Sequence, residues 1–181
     1  GLMSYKPNHE GAAWFVREVL PRVRQALPGT VLSIVGGGAP ESIRALESEA
    51  VHVHGYAREV APHYLGSDVM VVPLLSGGGS RLKILESFAA GLPVVSTAKG
   101  AEGLDVESGR HLLIADTPAD IAAAVTRVLT DEELHDRVVR EALDLASNRY
   151  DWSILAAKLE FCLQGAAAPG SPAPVSEGAP A

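Results

Sequence analysis

The sequence predicts an α/β chain built on a parallel, doubly wound sheet, and three observations carry that expectation. Short, continuous apolar runs alternate with helix-like segments, the pattern of strands buried on both faces by crossover helices. Glycine clusters follow two of those runs, at Gly36, Gly37, Gly38 and at Gly77, Gly78, Gly79, where such a sheet places its ligand-binding turns. Hydrophobic residues make up 47% and charged residues 20% of the 181 positions, so one ordinary domain can bury a core.

The elements follow in order. Residues 1–5 read as the end of a strand whose beginning lies upstream, because a helix signal follows at once. Pro7 and Asn8 precede apolar residues four apart, Phe15, Val19, Val23 and Leu27, which marks a helix that Pro21 should kink. Residues 30–35 form a strand, 41–48 a short helix, 51–53 a strand, 58–65 a helix and 69–74 a strand. The loop 76–79 opens a helix over 80–90. Strands at 93–96 and 111–115 follow, then helices at 118–129, 131–147 and 152–163, with Thr130, Asp131, Glu132 and Glu133 supplying a cap and an acidic first turn. Residues 1–164 are thus expected to be one domain with a truncated first strand. Residues 165–181 are almost all Ala, Gly, Pro and Ser and are expected to be a disordered tail.

Composition narrows the function. The net charge is −7, which gives no basic footprint for nucleic acid. The single Cys162 cannot form an internal disulfide, no Cys/His pair has structural-zinc spacing, and neither a signal peptide nor a spanning helix is visible. These features point to a cytoplasmic protein whose membrane contact, if it has any, is peripheral.

The chemistry gathers in residues 76–86. Three glycines clear side chains from a helix start, Ser80 is placed to cap it, and Arg81 and Lys83 put positive charge in its first turn. Cations there oppose the helix dipole by roughly 0.3 to 1 kcal/mol each, so the arrangement calls for a bound anion such as phosphate. Lys83 and Glu86, three apart, share a face. They read either as a phosphate-neutralising lysine with a ribose-binding carboxylate, or as a surface ion pair.

Residues 79–97, Gly-Ser-Arg-Leu-Lys-Ile-Leu-Glu-Ser-Phe-Ala-Ala-Gly-Leu-Pro-Val-Val-Ser-Thr, resemble the donor-site signature of the retaining group 1 (family 4) glycosyltransferases. The resemblance extends over nearly all of residues 1–164, through the Pro7-Asn8 helix start, Val53-His54-Gly55-Tyr56, Pro73, Gly100-Ala101-Glu102-Gly103 and Tyr150-Asp151-Trp152. It implies a Rossmann-like C-terminal half of a GT-B fold that takes a nucleotide-diphosphate sugar as substrate. A missing N-terminal half would hold the acceptor and make any peripheral contact with the inner membrane. The resemblance further implies that Glu86 binds the ribose, that Gly77, Gly78 and Gly79 lie by the diphosphate and sugar, that Ser80, Arg81 and Lys83 face phosphate, and that the base rests near Tyr56. The family's cations for the leaving diphosphate fall near the start, with Lys6 the loose candidate. Gly78 departs from the family, replacing the first of its paired glutamates. No cofactor or metal is expected, because N–H groups and cations can stabilise a departing diphosphate, and no catalytic base is assigned.

Competing readings are thinner. The glycines at 36–38 lack the third glycine of a dinucleotide fingerprint, and no Gly-Lys-Ser/Thr completes a P-loop. His52 and His54 share a strand face without a third ligand. Trp14 and Phe15 fit the helical stripe as core, and Glu102 as a loop residue. Half of a nucleotide-sugar epimerase, or a degenerate Rossmann-like interaction module, remain the alternatives to a transferase donor domain.

Overall fold

The computed structural model describes residues 1–156 and residue 160. Every strand pair in its two ribbons is parallel. β1 (Leu32–Val35) pairs with β2 (Val51–Gly55), while β3 (Met70–Val72), β4 (Val94–Ser96) and β5 (Leu113–Ile114) form a second ribbon in that order. The strands are rich in Val, Ile and Leu, and every residue of β4 is buried, as a strand covered on both faces requires.

Helices cover the two faces. On one side lie α1 (Lys6–Trp14) and α2 (Leu20–Ala26), joined by a π-turn over Phe15–Val19, with α7 (Pro118–Thr130) beside them. Phe15, Val19 and Val23 from the predicted stripe meet Ile34, Val95, Ile121 and Val125 in one apolar cluster. On the other side α5 (Leu82–Ala89) and α8 (Glu132–Leu145) bring Ile84, Phe88 and Ala142 onto Val72 and Val94. The first cluster joins residues of both ribbons, so they form one layer between two layers of helices.

The break at Pro21 takes a definite form. Proline has no N–H to return to the carbonyl of Arg17, so the ladder widens to a π-turn and restarts with Pro21 in the first turn of α2, where an N–H is dispensable. Proline also shortens the next predicted helix. Instead of 58–65, α4 spans Ala61–Leu65 with Pro62 in its first turn. The helix expected over 41–48 is the single turn α3 (Glu41–Arg44). The last turn of α8 relaxes into a second π-turn, Ala146–Tyr150. Thr117 and Asp131 cap α7 and α8 by accepting from Asp120 N and Leu134 N.

One helix was not expected: α6 (Ala98–Ala101), a single turn held by Thr97, whose hydroxyl accepts from Gly100 N at 2.9 Å and donates to Leu74 O at 2.6 Å. Residues 152–156 and 160 are helical, within the predicted 152–163. The rest of that helix, Cys162 and the 165–181 stretch lie outside the described residues. Among the described residues no helix is long and apolar enough to cross a membrane.

Candidate functional site

Parallel strands bring their carboxyl ends to one edge of the sheet, and three glycine-bearing segments meet there. Gly36, Gly37 and Gly38 follow β1, Gly55 and Tyr56 end β2, and the 75–81 loop follows β3. The start of α1 completes the group. A Cβ on Gly77, whose φ is +92°, would lie 2.6 Å from Pro7 Cγ and 2.9 Å from the Tyr5 hydroxyl. Only glycine lets this loop close onto α1.

The loop is bare in the way a phosphate site requires. None of the backbone N–H groups from Gly77 to Lys83 donates a hydrogen bond within the described residues. Positions 78 and 79 have no atom within 4 Å of where a Cβ would sit. Ser80 does not cap the helix, contrary to the sequence expectation. The helix begins two residues later, at Leu82, with Arg81 in the N-cap position and no side-chain cap, so the first-turn N–H groups stay open.

The predicted cations diverge. Lys83 turns into the cleft and donates to Asn8 Oδ1 at 2.8 Å, linking α5 to α1. Burial and the nearby Arg81 charge hold its ammonium below the ordinary lysine value, with Glu86 pulling the other way. Arg81, only 5% exposed, is drawn under the loop. Its Nη2 donates to Lys99 O at 2.8 Å and lies 3.6 Å from Glu102 Oε2, while its Nε has no partner among the described residues. Glu102 also accepts from Lys99 Nζ at 2.7 Å, and these cations hold its carboxyl below the usual range. Arg81 and Glu102 thus tie the glycine loop to α6. The surface ion pair between Lys83 and Glu86 is absent, because each has another partner.

Glu86 accepts from the Tyr64 hydroxyl, Oε2 to Oη at 2.8 Å. Burial and this carboxylate push the Tyr64 phenol well above its ordinary value, so it stays a donor. Sequence reasoning missed both Tyr64 and Asn8 as members of the site. Asn8 was visible only as a helix-start residue, and nothing in its local sequence points across to Lys83.

Tyr56 is 80% exposed beside Gly37, at the rim. Lys6 sits on the first turn of α1 close to the Gly77 loop, yet its ammonium is exposed and pairs with Glu10 at 3.6 Å. His52 and His54 share a face of β2, with the His63 ring tilted at 58° to His54 and 5.1 Å from it. Among the described residues no group of three His, Cys, Asp or Glu is arranged to hold a metal. Phe15 is buried core and Trp14 packs against it.

Comparison with known proteins agrees with this geometry. A family model described as "Glycosyl transferases group 1" matches residues 1–131. A phosphatidyl-myo-inositol mannosyltransferase of Mycobacterium leprae is 29% identical over 161 residues, covering 85% of this chain and 43% of the relative. A GDP-mannose-dependent alpha-(1-6)-phosphatidylinositol monomannoside mannosyltransferase of Mycobacterium tuberculosis is 30% identical, covering 81% and 42%. The chain therefore spans less than half the length of these relatives. Among solved structures, the C-terminal domain of the group 1 family protein LpcC from Francisella tularensis superposes with a TM-score of 0.68 at 17% identity, covering 78% of this chain and 80% of that one. Anabaena HepE in complex with UDP gives 0.68 at 19% identity, covering 82% and 45%. The architecture is the Rossmann-like half of a GT-B fold.

Proposed function

Because the chain belongs to the group 1 glycosyltransferases, we propose that it is the donor-binding half of a retaining enzyme that takes sugar from a nucleotide-diphosphate sugar. The acceptor would be held by an N-terminal half, and the fragment alone would bind donor without transferring. One observation carries the reading: an open row of N–H groups at the start of α5, with Lys83 beside it and Glu86 one turn further, at the carboxyl edge of a parallel sheet.

Each part has a task in that chemistry. The diphosphate sits against the N–H groups from Gly77 to Lys83, where the helix dipole and Lys83 offset the charge that develops as the glycosidic C–O bond breaks. Glu86 accepts from the ribose diol, one ribose hydroxyl replacing that of Tyr64 as its donor. Tyr56 and Gly37 form the rim for the base. Arg81 supports the loop from beneath through Lys99 and Glu102, and so acts on phosphate through position and long-range charge. The donor class is supported by a mycobacterial relative described as GDP-mannose-dependent and by the structurally similar HepE, solved with UDP and with UDP-glucose.

The test is thermal unfolding with UDP, GDP, ADP and their sugar conjugates. A ligand at 100 times its dissociation constant adds about 2.7 kcal/mol, and the nucleotide that stabilises most names the donor class. Glu86→Ala should weaken that ligand about tenfold or more, since a hydrogen bond to a charged group contributes about 1.5–3 kcal/mol. Equal affinity in the variant refutes the ribose assignment.

A further inference from the structure

Glu86 is an exposed carboxylate with one protein donor. Among the described residues only the Tyr64 hydroxyl donates to it, Oη to Oε2 at 2.8 Å, while the neighbouring Lys83 donates to Asn8 instead. Oε1 accepts from no described residue. Tyr64 and Glu86 stand 22 positions apart on different elements, so their bond ties α5, the helix that opens from the glycine loop, to the separate short helix α4.

The two ends of this tie are anchored differently. α5 sends Ile84, Ser87 and Phe88 into the core, and Ser87 Oγ donates to Lys83 O at 2.7 Å. α4 has five residues and buries none of them. Val60 before it is 46% exposed, and Leu65 at its end is 75% exposed. A second link is the ring of His63, 5.1 Å from that of His54 on β2. With so little apolar area holding it down, α4 can shift and withdraw Tyr64 while Glu86 stays fixed on α5.

A ribose diol brings two hydroxyls to the two carboxylate oxygens. One meets Oε1 unopposed. The other takes Oε2 only by releasing Tyr64, and its gain is the difference between two similar O–H···O⁻ bonds. Without the Tyr64 hydroxyl, the same ribose hydroxyl replaces water alone. The affinity observed is therefore the intrinsic one reduced by the fraction of molecules in which Oε2 is free.

We propose that Tyr64 is an internal competitor for the ribose subsite, its hydroxyl occupying Glu86 in the empty protein and weakening every nucleotide that needs this carboxylate. The proposal rests on the assignment of Glu86 to the ribose. Tyr64 acts on the ligand only through Glu86, so its effect falls on nucleotides that carry the diol. A nucleotide without those hydroxyls leaves the Tyr64–Glu86 bond intact. Donor and spent nucleotide carry the same ribose, so the competition lowers product retention as well as donor capture.

The experiment measures dissociation constants of UDP, GDP and ADP, each beside its 2′,3′-dideoxy form, by calorimetry on residues 1–181, on Tyr64→Phe, on Glu86→Ala and on the double variant. Phenylalanine keeps the ring and removes only the hydroxyl, so the packing of α4 is preserved. Tyr64→Phe should bind the preferred ribonucleotide about three- to tenfold more tightly, the net worth of one hydrogen bond, and its dideoxy form within about twofold of the parent. In the Glu86→Ala background the same change should have no effect. Unchanged or weaker ribonucleotide binding by Tyr64→Phe overturns the proposal, the weaker result making Tyr64 a group that aligns Glu86 for the ribose. A gain that persists beside Glu86→Ala overturns it as well. In each of these cases the ribose assignment stands as long as the parent prefers the ribonucleotide to its dideoxy form. A parent that binds both forms equally, or binds none of the nucleotides, defeats the ribose assignment itself and the proposal with it.

Discussion

Lys83 shows how a single residue divides its duties between stability and binding. Its ammonium is half-enclosed and donates one hydrogen bond to Asn8 Oδ1, at the end of an open row of N–H groups. Burial holds its pKa below the unfolded value, so the fold disfavours its charged form. The unfolded chain then binds more protons between the two values, and stability rises with pH across that window. Lys83→Met is therefore expected to melt no lower than the parent at pH 7, with any gain shrinking as pH climbs toward 10.5, while diphosphate affinity falls. Melting curves at several pH values and a nucleotide titration check both halves. Gly78, the departure from the family's paired glutamates, makes the converse case. Its φ is not positive and the space beyond its Cα is open, so Gly78→Glu should change stability by no more than about 0.5 kcal/mol. If a carboxylate at this position meets the donor sugar, the variant will separate nucleotide-sugar affinity from affinity for the bare diphosphate; calorimetry with each reads the difference.

At the scale of elements, α6 bears most on the site despite its single turn. It receives Arg81 through the carbonyl of Lys99 and the carboxylate of Glu102, and Thr97 fastens its start to the end of β3 through Leu74 O. Thr97 is 2% exposed. Thr97→Ala removes a cap and leaves a buried carbonyl unsatisfied, which should cost about 1–3 kcal/mol by denaturant titration and loosen the glycine loop above it. Gly100 is equally constrained, since a Cβ there would lie 2.6 Å from Val72 O and collide with Ser96 Oγ. The sequence made the long elements readable because period and caps agree. The stripe through Phe15, Val19 and Val23, the acidic first turn of α8 and the apolar strands appear where residue pattern placed them. It hid α6 because one turn carries no periodicity, and it overextended the helix at Ser80 because a serine ahead of an apolar face reads as a cap whether or not the backbone has begun to coil. The glycine loop, Lys83 and Glu86 were legible from local spacing. Asn8, Tyr64 and the inward turn of Arg81 were not, because each depends on a partner 18 to 75 positions away.

For the whole molecule, the shared apolar cluster has a measurable consequence. Ile34 and Val51 from one ribbon pack in the same cluster as Val95 and Leu113 from the other, with Ile121 and Val125 of α7 among them. The β1-β2 ribbon has its core only in this shared cluster, whereas the other ribbon also holds the cluster of Val72, Val94, Ile84 and Phe88. The shared cluster should make unfolding a single transition, with tryptophan fluorescence and far-ultraviolet circular dichroism giving coincident midpoints. Two separated midpoints would mean the ribbons fold independently.

The uniform strand direction also gives the molecule a spare end. The turns that lead into strands, such as the one at Gly29, lie opposite the glycine loops, and a Cβ at Gly29 would meet nothing within 4 Å. A surface linker attached there would present the glycine loops outward from a sensor chip, with the tethering chemistry on the far side of the sheet.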